Sequence, residues 1–145
     1  GGEGFPKTEL KKLHGLYGAQ ATLWNVYGPT ECTCICSAYP ITDADFADME
    51  KLAPLGHLAP EFSGMVMDEA GGKEVPDGVT GELFLMGSQV AVGYYNDPER
   101  TGVSFARNPL KPELPCYRTG DLVWKDRTTG YYHFAGRKDN QIKHM

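Results

Sequence analysis

The spacing of apolar and polar residues predicts a short helix at the start of the chain. Between residues 6 and 16, Leu10 and Leu13 lie three positions apart, which places both on one face of a helix. Gly15 and Gly18 follow, and glycine is a common helix terminator. We therefore expect one amphipathic helix before the first strand.

Short apolar runs bounded by glycine, proline or aspartate predict that most of the remaining chain is β structure. A turn at 68–73 separates two of these runs and a turn at 126–130 separates two others, so each pair is typical of a hairpin. Helical turns are expected at 42–49, capped by Thr42 or Asp43, and after Asp97-Pro98. The predicted strands are 21–26, 34–41, 64–67, 74–75, 81–86, 122–125 and 131–134.

This order of elements predicts a fold between the α/β and α+β classes. A short strand–helix piece occupies residues 1–54, and a twisted antiparallel, barrel-like β subdomain occupies residues 55–136. Residues 137–145 form a polar segment that follows the last predicted strand. The chain does not begin with Met and stops soon after that strand, so we interpret it as an internal piece of a longer protein.

Composition narrows the class of partner. The 145 residues are 41% hydrophobic and 23% charged, which is typical of a globular domain, and no apolar run approaches the roughly 20 residues of a membrane helix. A net charge of −5 with scattered basic residues argues against nucleic acid and against an anionic membrane. The N-terminus does not have the pattern of a signal peptide, so we expect a cytoplasmic protein.

Three of the four cysteines occur at alternate positions, separated by Thr33 and Ile35. Cys32, Cys34 and Cys36 would share a face if the segment were extended, and Cys116 lies far away in the sequence. Zinc sites more often use C-x2-4-C pairs on a turn, so we favour small, half-buried side chains in a reducing compartment.

The segment from Asn25 to Glu31 has the residue types of a nucleotide site. A strand delivers the ring of Tyr27, Gly28 allows close backbone approach, and Thr30 and Glu31 add a hydroxyl and a carboxylate. A carboxylate can hold a Mg²⁺ ion that bridges phosphates. The alternative is a plain turn in which Thr30 serves as a helix cap.

Two further segments favour the nucleotide interpretation. Tyr117-Arg118-Thr119-Gly120-Asp121-Leu122 places an acid at the start of a predicted strand, where it could accept hydrogen bonds from ribose hydroxyls. The segment from Gly136 to Lys143 is polar and basic, and its alternative is a solvated loop. The strand and loop from Gly81 to Asn96 look more structural than catalytic.

The motifs YGPTE, YRTGDL and GRKDNQIK, in this order, resemble those of the adenylate-forming superfamily. That superfamily includes the adenylation domains of nonribosomal peptide synthetases, D-alanine–carrier-protein ligases, acyl-CoA synthetases and luciferases. The resemblance covers essentially the whole chain. It implies a part of the large N-terminal adenylation domain that ends at the hinge to a small C-terminal domain.

The resemblance also implies a role for each matching residue. Tyr27 would stack on adenine, Asn25 would lie near the adenine amino group, and Asp121 would bind the ribose. Thr30 would contact a phosphate, Glu31 would be the Mg²⁺ ligand, and Asp139 would be the hinge. Phe134 stands where Tyr is common, which puts a ribose contact there in doubt. The nucleotide-binding set is Gly1, Gly2, Glu3, Asn25, Tyr27, Asp121 and Arg137, and the substrate pocket is Gly1, Val26, Cys34 and Ile35.

The proline of YGPTE and the ending of GRKDNQIK favour the amino-acid-activating branch. The implied reaction uses ATP and Mg²⁺ to form an aminoacyl-AMP, and then transfers the amino acid to the phosphopantetheine thiol of an acyl or peptidyl carrier protein. The alternatives are an acyl-CoA synthetase and an inactive nucleotide-binding scaffold. The family's phosphate loop would lie before Gly1 and its catalytic lysine beyond Met145, so the piece alone is expected to be inactive.

Overall fold

The first helix forms where it was predicted, but its buried face contains only one of the two predicted leucines. A computed structural model of the chain describes residues 4–108 and 111–141. Helix α1 spans Lys7–Tyr17 and continues through Gly15 before it ends at Gly18. Leu10 is buried in a small cluster with Ile41 and Ala53. Leu13 is partly exposed, so the predicted two-leucine stripe was wrong at that position.

A three-stranded antiparallel sheet follows the helix. It consists of β1 (Trp24–Tyr27), β2 (Ser37–Pro40) and β3 (His57–Leu58), in the order β1-β2-β3. The prediction that β2 begins at Cys34 was wrong. Thr33 and Cys34 have φ angles of 58° and 76°, a left-handed conformation that an extended strand cannot contain.

The same conformation overturns the shared face expected for the cysteines. Residues 30–32 form a turn of 3₁₀ helix that ends at the left-handed Thr33. Cys32 and Cys36 are fully buried, whereas Cys34 is exposed. The three side chains therefore do not line up, because the backbone reverses between them.

The helical turn predicted after β2 is a short 3₁₀ helix at Asp43–Ala47. Its cap is Thr42, one of the two residues predicted for that position. The Asp45 carboxylate accepts a hydrogen bond from the backbone N–H of Thr42 at 2.8 Å, as in a capping box.

The larger sheet is also antiparallel. Its strands are β4 (Phe62–Met67), β5 (Gly81–Gly87), β6 (Phe105–Arg107), β7 (Pro115–Lys125) and β8 (Tyr132–Arg137). The strand order is β4-β5-β7-β6, and β8 also pairs with β7, which is the longest strand. In the part of the chain that the structure describes, the strands do not close into a barrel. Helix α2 (Pro98–Ser104) precedes β6, and α3 (Lys138–Gln141) follows β8.

Local signals for turns and caps predicted several of these elements well. The β7–β8 hairpin turns at 126–130, where the Asp126 carboxylate accepts from the backbone N–H of Thr128 and of Thr129, each at 2.7 Å. Asp97 caps α2 and Pro98 begins it. The hairpin predicted at 64–67 and 74–75 is reduced to a single bridge between Met67 and Glu74, and the long partner of β4 is β5 on its other edge.

The position of Asp121 differs from the prediction. It lies inside β7 rather than at the start of a strand. Gly120 has a left-handed φ of 68°, and the register between β5 and β7 shifts nearby. This irregularity bends β7 without ending it, since β5 pairs with β7 on both sides of the shift. The strand predicted at 131–134 likewise runs on to Arg137.

The main core joins the turn after β1 to the larger sheet. Leu83, Leu85 and Val123 of that sheet are fully buried, and they belong to one cluster with Cys32 and Cys36. The turn is therefore fixed against the larger sheet by packing. The division of the chain at residue 55 stays a prediction.

Candidate functional site

The turn after β1 depends on a glycine. A Cβ atom on Gly28 would lie only 1.7 Å from the backbone oxygen of Cys34 and 2.8 Å from the backbone nitrogen of Cys36. No larger residue fits without a backbone shift. The close approach fixes Thr30 and Glu31 directly beyond the end of β1.

The side chains of Tyr27 and Arg137, from two other strands, both bind the carboxylate of Asp121. The Tyr27 hydroxyl donates to Asp121 Oδ2 at 2.6 Å, and Arg137 Nη1 donates to Asp121 Oδ1 at 2.8 Å. Arg137 Nη1 also donates to the backbone oxygen of Thr119 at 2.8 Å. We call Tyr27, Asp121 and Arg137 the Asp121 cluster.

The electrostatics of this cluster hold Tyr27 and Arg137 as hydrogen-bond donors. Burial raises the pKa of the Tyr27 hydroxyl far above its ordinary value, and the charge of Asp121 raises it further. The hydrogen bond to Asp121 raises the pKa of Arg137 as well. An ionised carboxylate has about four lone-pair sites, so Asp121 retains acceptor capacity for a ligand hydroxyl.

Glu31 is held by groups from the loop after β5. The Tyr94 hydroxyl donates to Glu31 Oε1 at 2.7 Å, and the backbone N–H of Ala91 donates to the Glu31 carbonyl at 2.8 Å. Partial burial acts to raise the pKa of the Glu31 carboxyl, but the hydrogen bond from Tyr94 and others outweigh it and lower that pKa below its ordinary value. Glu31 is therefore a carboxylate at neutral pH. The neighbouring Thr30 is exposed.

Asn25 lies on β1, with its amide nitrogen bound to main-chain carbonyls. Its Nδ2 donates to the carbonyl of Pro54 at 2.7 Å and is 3.4 Å from that of Ala53. Because the nitrogen is used in this way, the group that Asn25 can offer a ligand is its amide oxygen. An acceptor of that kind suits an amino group.

The predicted hinge adjoins the Asp121 cluster. Asp139 accepts from Arg137 Nη2 at 2.9 Å, and both side chains are substantially exposed. Lys138 donates to the buried Glu82 at 2.9 Å, and Glu82 also accepts from the backbone N–H of Gly120 at 3.2 Å. Arg137 and Lys138 are thus bound to residues of β5 and β7, which argues against the alternative of a solvated loop at this position.

Comparison with known families identifies the family of the chain. The family model described as AMP-binding enzyme matches residues 1–95. The chain belongs to the AMP-binding enzyme family. Its resemblance to the adenylate-forming superfamily is therefore confirmed, and the mixed α/β and antiparallel architecture is that of solved adenylation domains.

Individual members of the AMP-binding family agree. Tyrocidine synthase 3 of Brevibacillus parabrevis is 37% identical over 99% of this chain, and the D-alanine–D-alanyl carrier protein ligase of Streptococcus pneumoniae is 38% identical over 85%. A four-domain nonribosomal peptide synthetase, solved as a holo form with AMP and glycine, covers 95% of this chain at 40% identity and a TM-score of 0.78.

The chain matches only a small part of each relative. It covers 2% of the length of tyrocidine synthase 3, 23% of the D-alanine–D-alanyl carrier protein ligase and 10% of the four-domain synthetase. None of the helices described in this AMP-binding chain is long and apolar enough to cross a membrane.

The predicted pocket residues of this family member differ in their exposure. Val26 is half-buried on β1, whereas Cys34 and Ile35 are exposed in the reversed segment before β2. Phe134 pairs with Val123 and packs against the main core. Gly1, Gly2 and Glu3 lie outside the described residues.

Glu31 has the chemistry of a ligand for the Mg²⁺ that the family implies. Among residues 4–108 and 111–141, no three His, Cys, Asp or Glu side chains group closely enough to hold a metal ion. Mg²⁺ commonly keeps several waters and binds one or two carboxylates together with substrate phosphates. A single ionised carboxylate at an open turn, as Glu31 provides, fits that mode.

Sequence reasoning missed Tyr94. The loop that contains it was expected to be structural, yet its hydroxyl reaches Glu31 across 63 positions of the chain. The sequence signal was a tyrosine between Gly93 and a second tyrosine, which is too common to indicate a site. Sheet topology creates the contact, since β5 leads the loop back to the turn after β1.

Proposed function

We propose that this chain is part of an ATP-dependent ligase. The enzyme activates an amino acid as aminoacyl-AMP and transfers it to the phosphopantetheine thiol of a carrier protein. The observation that carries the proposal is the Asp121 cluster, in which an aromatic ring, an acid and a guanidinium converge from β1, β7 and β8. Membership of the AMP-binding family supports it.

In this proposal the Asp121 cluster binds the nucleoside part of ATP. Tyr27 stacks on adenine while its hydroxyl, bound to Asp121, fixes the orientation of the ring. The Asn25 amide oxygen accepts from the adenine amino group. Asp121 accepts from ribose hydroxyls, and Arg137 holds Asp121 in place and contributes positive charge near the ribose and phosphate.

The reacting groups lie at the turn after β1. The amino-acid carboxylate attacks the α-phosphorus of ATP, which forms aminoacyl-AMP and releases pyrophosphate. Thr30 donates its hydroxyl to a phosphate oxygen, and Glu31 is the residue that would hold Mg²⁺. When bound, the ion supplies positive charge that offsets the charge of the phosphates. In the second step the carrier thiol attacks the acyl carbon, and AMP leaves.

The choice of amino acid and carrier protein rests on the branch of the family. The names of the relatives include nonribosomal peptide synthetases and a carrier protein ligase. Gly1, Val26, Cys34 and Ile35, the proposed pocket residues, are small or apolar. We propose a small or apolar amino-acid side chain for the substrate.

We further propose that the chain occurs within a longer polypeptide. Residues 1–54 complete an α/β nucleotide- and substrate-binding subdomain, residues 55–136 are the β subdomain, and residues 137–145 begin the hinge. The relatives extend far beyond the matched segment, which supports this division. A phosphate loop and a catalytic lysine would come from the other parts.

The experiment that tests the proposal follows the acyl group. The full-length polypeptide is incubated with Mg²⁺-ATP and single amino acids, and then with either a holo carrier protein or coenzyme A. Mass spectrometry is expected to show one or a few amino acids attached to the carrier. Acylation of coenzyme A instead would show an acyl-CoA synthetase, and no adenylate with any amino or fatty acid would leave the inactive scaffold.

A further inference from the structure

The loop between β5 and α2 contacts the turn that contains Glu31 at three points. Ala91 N–H donates to the Glu31 carbonyl at 2.8 Å, and the Thr33 hydroxyl donates to the carbonyl of Gln89 at 2.9 Å. The third contact is the hydroxyl of Tyr94 on Glu31 Oε1 at 2.7 Å. We call residues 88–97 the bracing loop. Two of its contacts fix the backbone of the turn, and the third, from Tyr94, holds the carboxylate, which also has a hydrogen bond with Tyr117 of β7.

Tyr94 is itself held on several sides. Its backbone N–H donates to the Thr101 hydroxyl at 2.9 Å, which ties it to α2. The guanidinium of Arg100 lies 4.1 Å from the centre of its ring, and Phe105 packs edge-on at 5.4 Å. A tyrosine that only filled space would not need a fixed hydroxyl direction, whereas these contacts restrict both the ring and the direction of its O–H.

A glycine next to Tyr94 is required by this arrangement. Gly93 has a φ of 147°, and a Cβ there would lie 2.5 Å from a methyl of Thr101. Thr101 also donates its hydroxyl to the carbonyl of Asp97 at 2.7 Å, in the turn that starts α2. The bracing loop is therefore built on the start of α2 and directs Tyr94 back toward Glu31.

The neighbouring tyrosine shows that the placement is specific. Tyr95 follows Tyr94 directly but is completely exposed to solvent. The two residues are both tyrosines of the bracing loop, and of the two only Tyr94 contacts Glu31. Tyr95 is therefore a matched control for Tyr94.

We propose that Tyr94 is a positioning residue for the metal-binding carboxylate of Glu31. By donating to Oε1, it selects one side-chain rotamer and leaves the remaining lone pairs of the carboxylate directed at the open side of the turn. An exposed glutamate loses considerable side-chain freedom when it is fixed on a ligand. Because the Tyr94 hydroxyl already restricts the Glu31 side chain, less side-chain entropy is lost when Mg²⁺-ATP binds. The inference rests on the proposed function, in particular on the Mg²⁺ role of Glu31.

The test compares Tyr94→Phe, Tyr95→Phe and Glu31→Gln in the full-length polypeptide. Tyr94→Phe keeps the ring and its packing on Arg100 and Phe105 and removes only the hydroxyl. The first readout is the affinity for Mn²⁺ in the presence of α,β-methylene-ATP, measured by electron paramagnetic resonance without turnover. The second is the Mg²⁺ concentration that gives half-maximal pyrophosphate exchange.

Loss of one hydrogen bond to the carboxylate should weaken Mn²⁺ binding and raise the Mg²⁺ requirement by roughly three- to tenfold in Tyr94→Phe. The effect on the rate at saturating Mg²⁺ should be smaller than the effect on the Mg²⁺ requirement. Glu31→Gln should weaken Mn²⁺ binding more strongly, and Tyr95→Phe should match the wild type in both readouts.

Each other pattern overturns a different statement. Wild-type Mn²⁺ affinity in Tyr94→Phe, with a clear loss in Glu31→Gln, removes the positioning role and leaves the proposed function intact. Wild-type Mn²⁺ affinity in Glu31→Gln removes the metal role of Glu31 and the inference with it. A lower rate for Tyr94→Phe at every Mg²⁺ concentration, with unchanged Mn²⁺ affinity, would show a merely structural tyrosine.

Discussion

At the scale of single residues, the proposed site contains two carboxylates, Asp121 and Glu31, whose surroundings differ. Asp121 is buried and accepts from two side-chain donors, whereas Glu31 is partly open and accepts from Tyr94. The first arrangement suits a neutral, hydroxyl-bearing partner such as ribose, because Asp121 retains lone pairs that can accept from hydroxyl groups. The second suits a cation, because its open side faces solvent. In the proposed function, Asp121 serves the nucleoside end of ATP and Glu31 serves the phosphate end.

Replacing Asp121 by alanine is expected to raise the KM for ATP by roughly ten- to a hundredfold. Hydrogen bonds to a charged acceptor contribute about 1.5–3 kcal/mol, and about 1.4 kcal/mol corresponds to a factor of ten. The KM for the amino acid should change much less. Steady-state kinetics of pyrophosphate exchange, with each substrate varied in turn, measures both constants.

Tyr27→Phe is the control for that substitution. It keeps the ring that stacks on adenine and removes one donor to Asp121, so the KM for ATP should rise by less than about threefold. Equal KM values for Asp121→Ala and wild type would remove the ribose role. An equal rise in Asp121→Ala and Tyr27→Phe would show that the bond between them, rather than the ribose contact, is what matters.

Motifs could predict the residues of the Asp121 cluster but not their mutual contacts. Tyr27, Asp121 and Arg137 each belong to a recognisable segment, and the structure brings all three together. Whether they bind ATP stays a prediction. Tyr94 could not be predicted, because its partner is distant in sequence and the contact depends on how β5 and the turn after β1 pack.

At the scale of elements, the turn after β1 has the closest backbone approach to a glycine among the described residues. Sequence spacing predicted a turn there, but it extended β2 back to Cys34. Alternation of side chains cannot reveal a left-handed backbone at a residue that is not glycine. Longer apolar runs predicted strand positions better, since the strands expected at 81–86 and 122–125 lie within β5 and β7.

Gly28→Ala is expected to lower the free energy of unfolding by about 1–3 kcal/mol, the usual cost of forcing an extra methyl group into packed surroundings. Its Cβ would meet backbone atoms of residues 34 and 36, which cannot rotate away. Gly15→Ala is the matched control, since a Cβ at this helix position meets nothing within 4 Å. Alanine at that site should stabilise the protein by about 0.4–1 kcal/mol.

Urea unfolding of both variants beside the wild-type protein provides the measurement. A Gly28→Ala midpoint equal to that of wild type would contradict the close approach of the turn to Cys34. A loss of stability in Gly15→Ala would show that the space around the added methyl group does not determine the change in unfolding free energy.

The segment after β8 is the second element with a proposed role. If Asp139 is the hinge, its backbone must change between adenylation and thioester formation, as hinges do at the ends of elements. Proline fixes φ near −65° and restricts the preceding residue, here Lys138. Asp139→Pro should therefore slow carrier-protein loading far more than pyrophosphate exchange.

Asp139→Ala separates the backbone from the side chain. It removes the exposed ion pair with Arg137 but leaves φ and ψ free, so both half-reactions should remain close to the wild-type rates. Pyrophosphate exchange and carrier loading are measured on the same preparation of each variant. Equal losses in both assays for Asp139→Pro would remove the hinge assignment.

At the scale of the whole molecule, the shared core explains why residues so far apart can form one site. The turn after β1 places Cys32 and Cys36 into the same buried cluster as the centre of the larger sheet. The Asp121 cluster and the bracing loop then approach that turn from β7, β8 and the end of β5. The fold class and strand content could be predicted from the sequence, but this convergence required the topology.

The most direct test of the account is ATP–pyrophosphate exchange by the full-length polypeptide that contains this segment. We predict exchange that requires Mg²⁺ and at least one small or apolar amino acid, and that falls sharply in both Glu31→Ala and Asp121→Ala. Because Asp121→Ala leaves the Tyr27 hydroxyl without its partner, thermal melting is used to confirm that both variants are folded at the assay temperature. Exchange that is absent with every amino acid, or unaffected by either substitution, would contradict the central claim that these residues form part of an adenylating site.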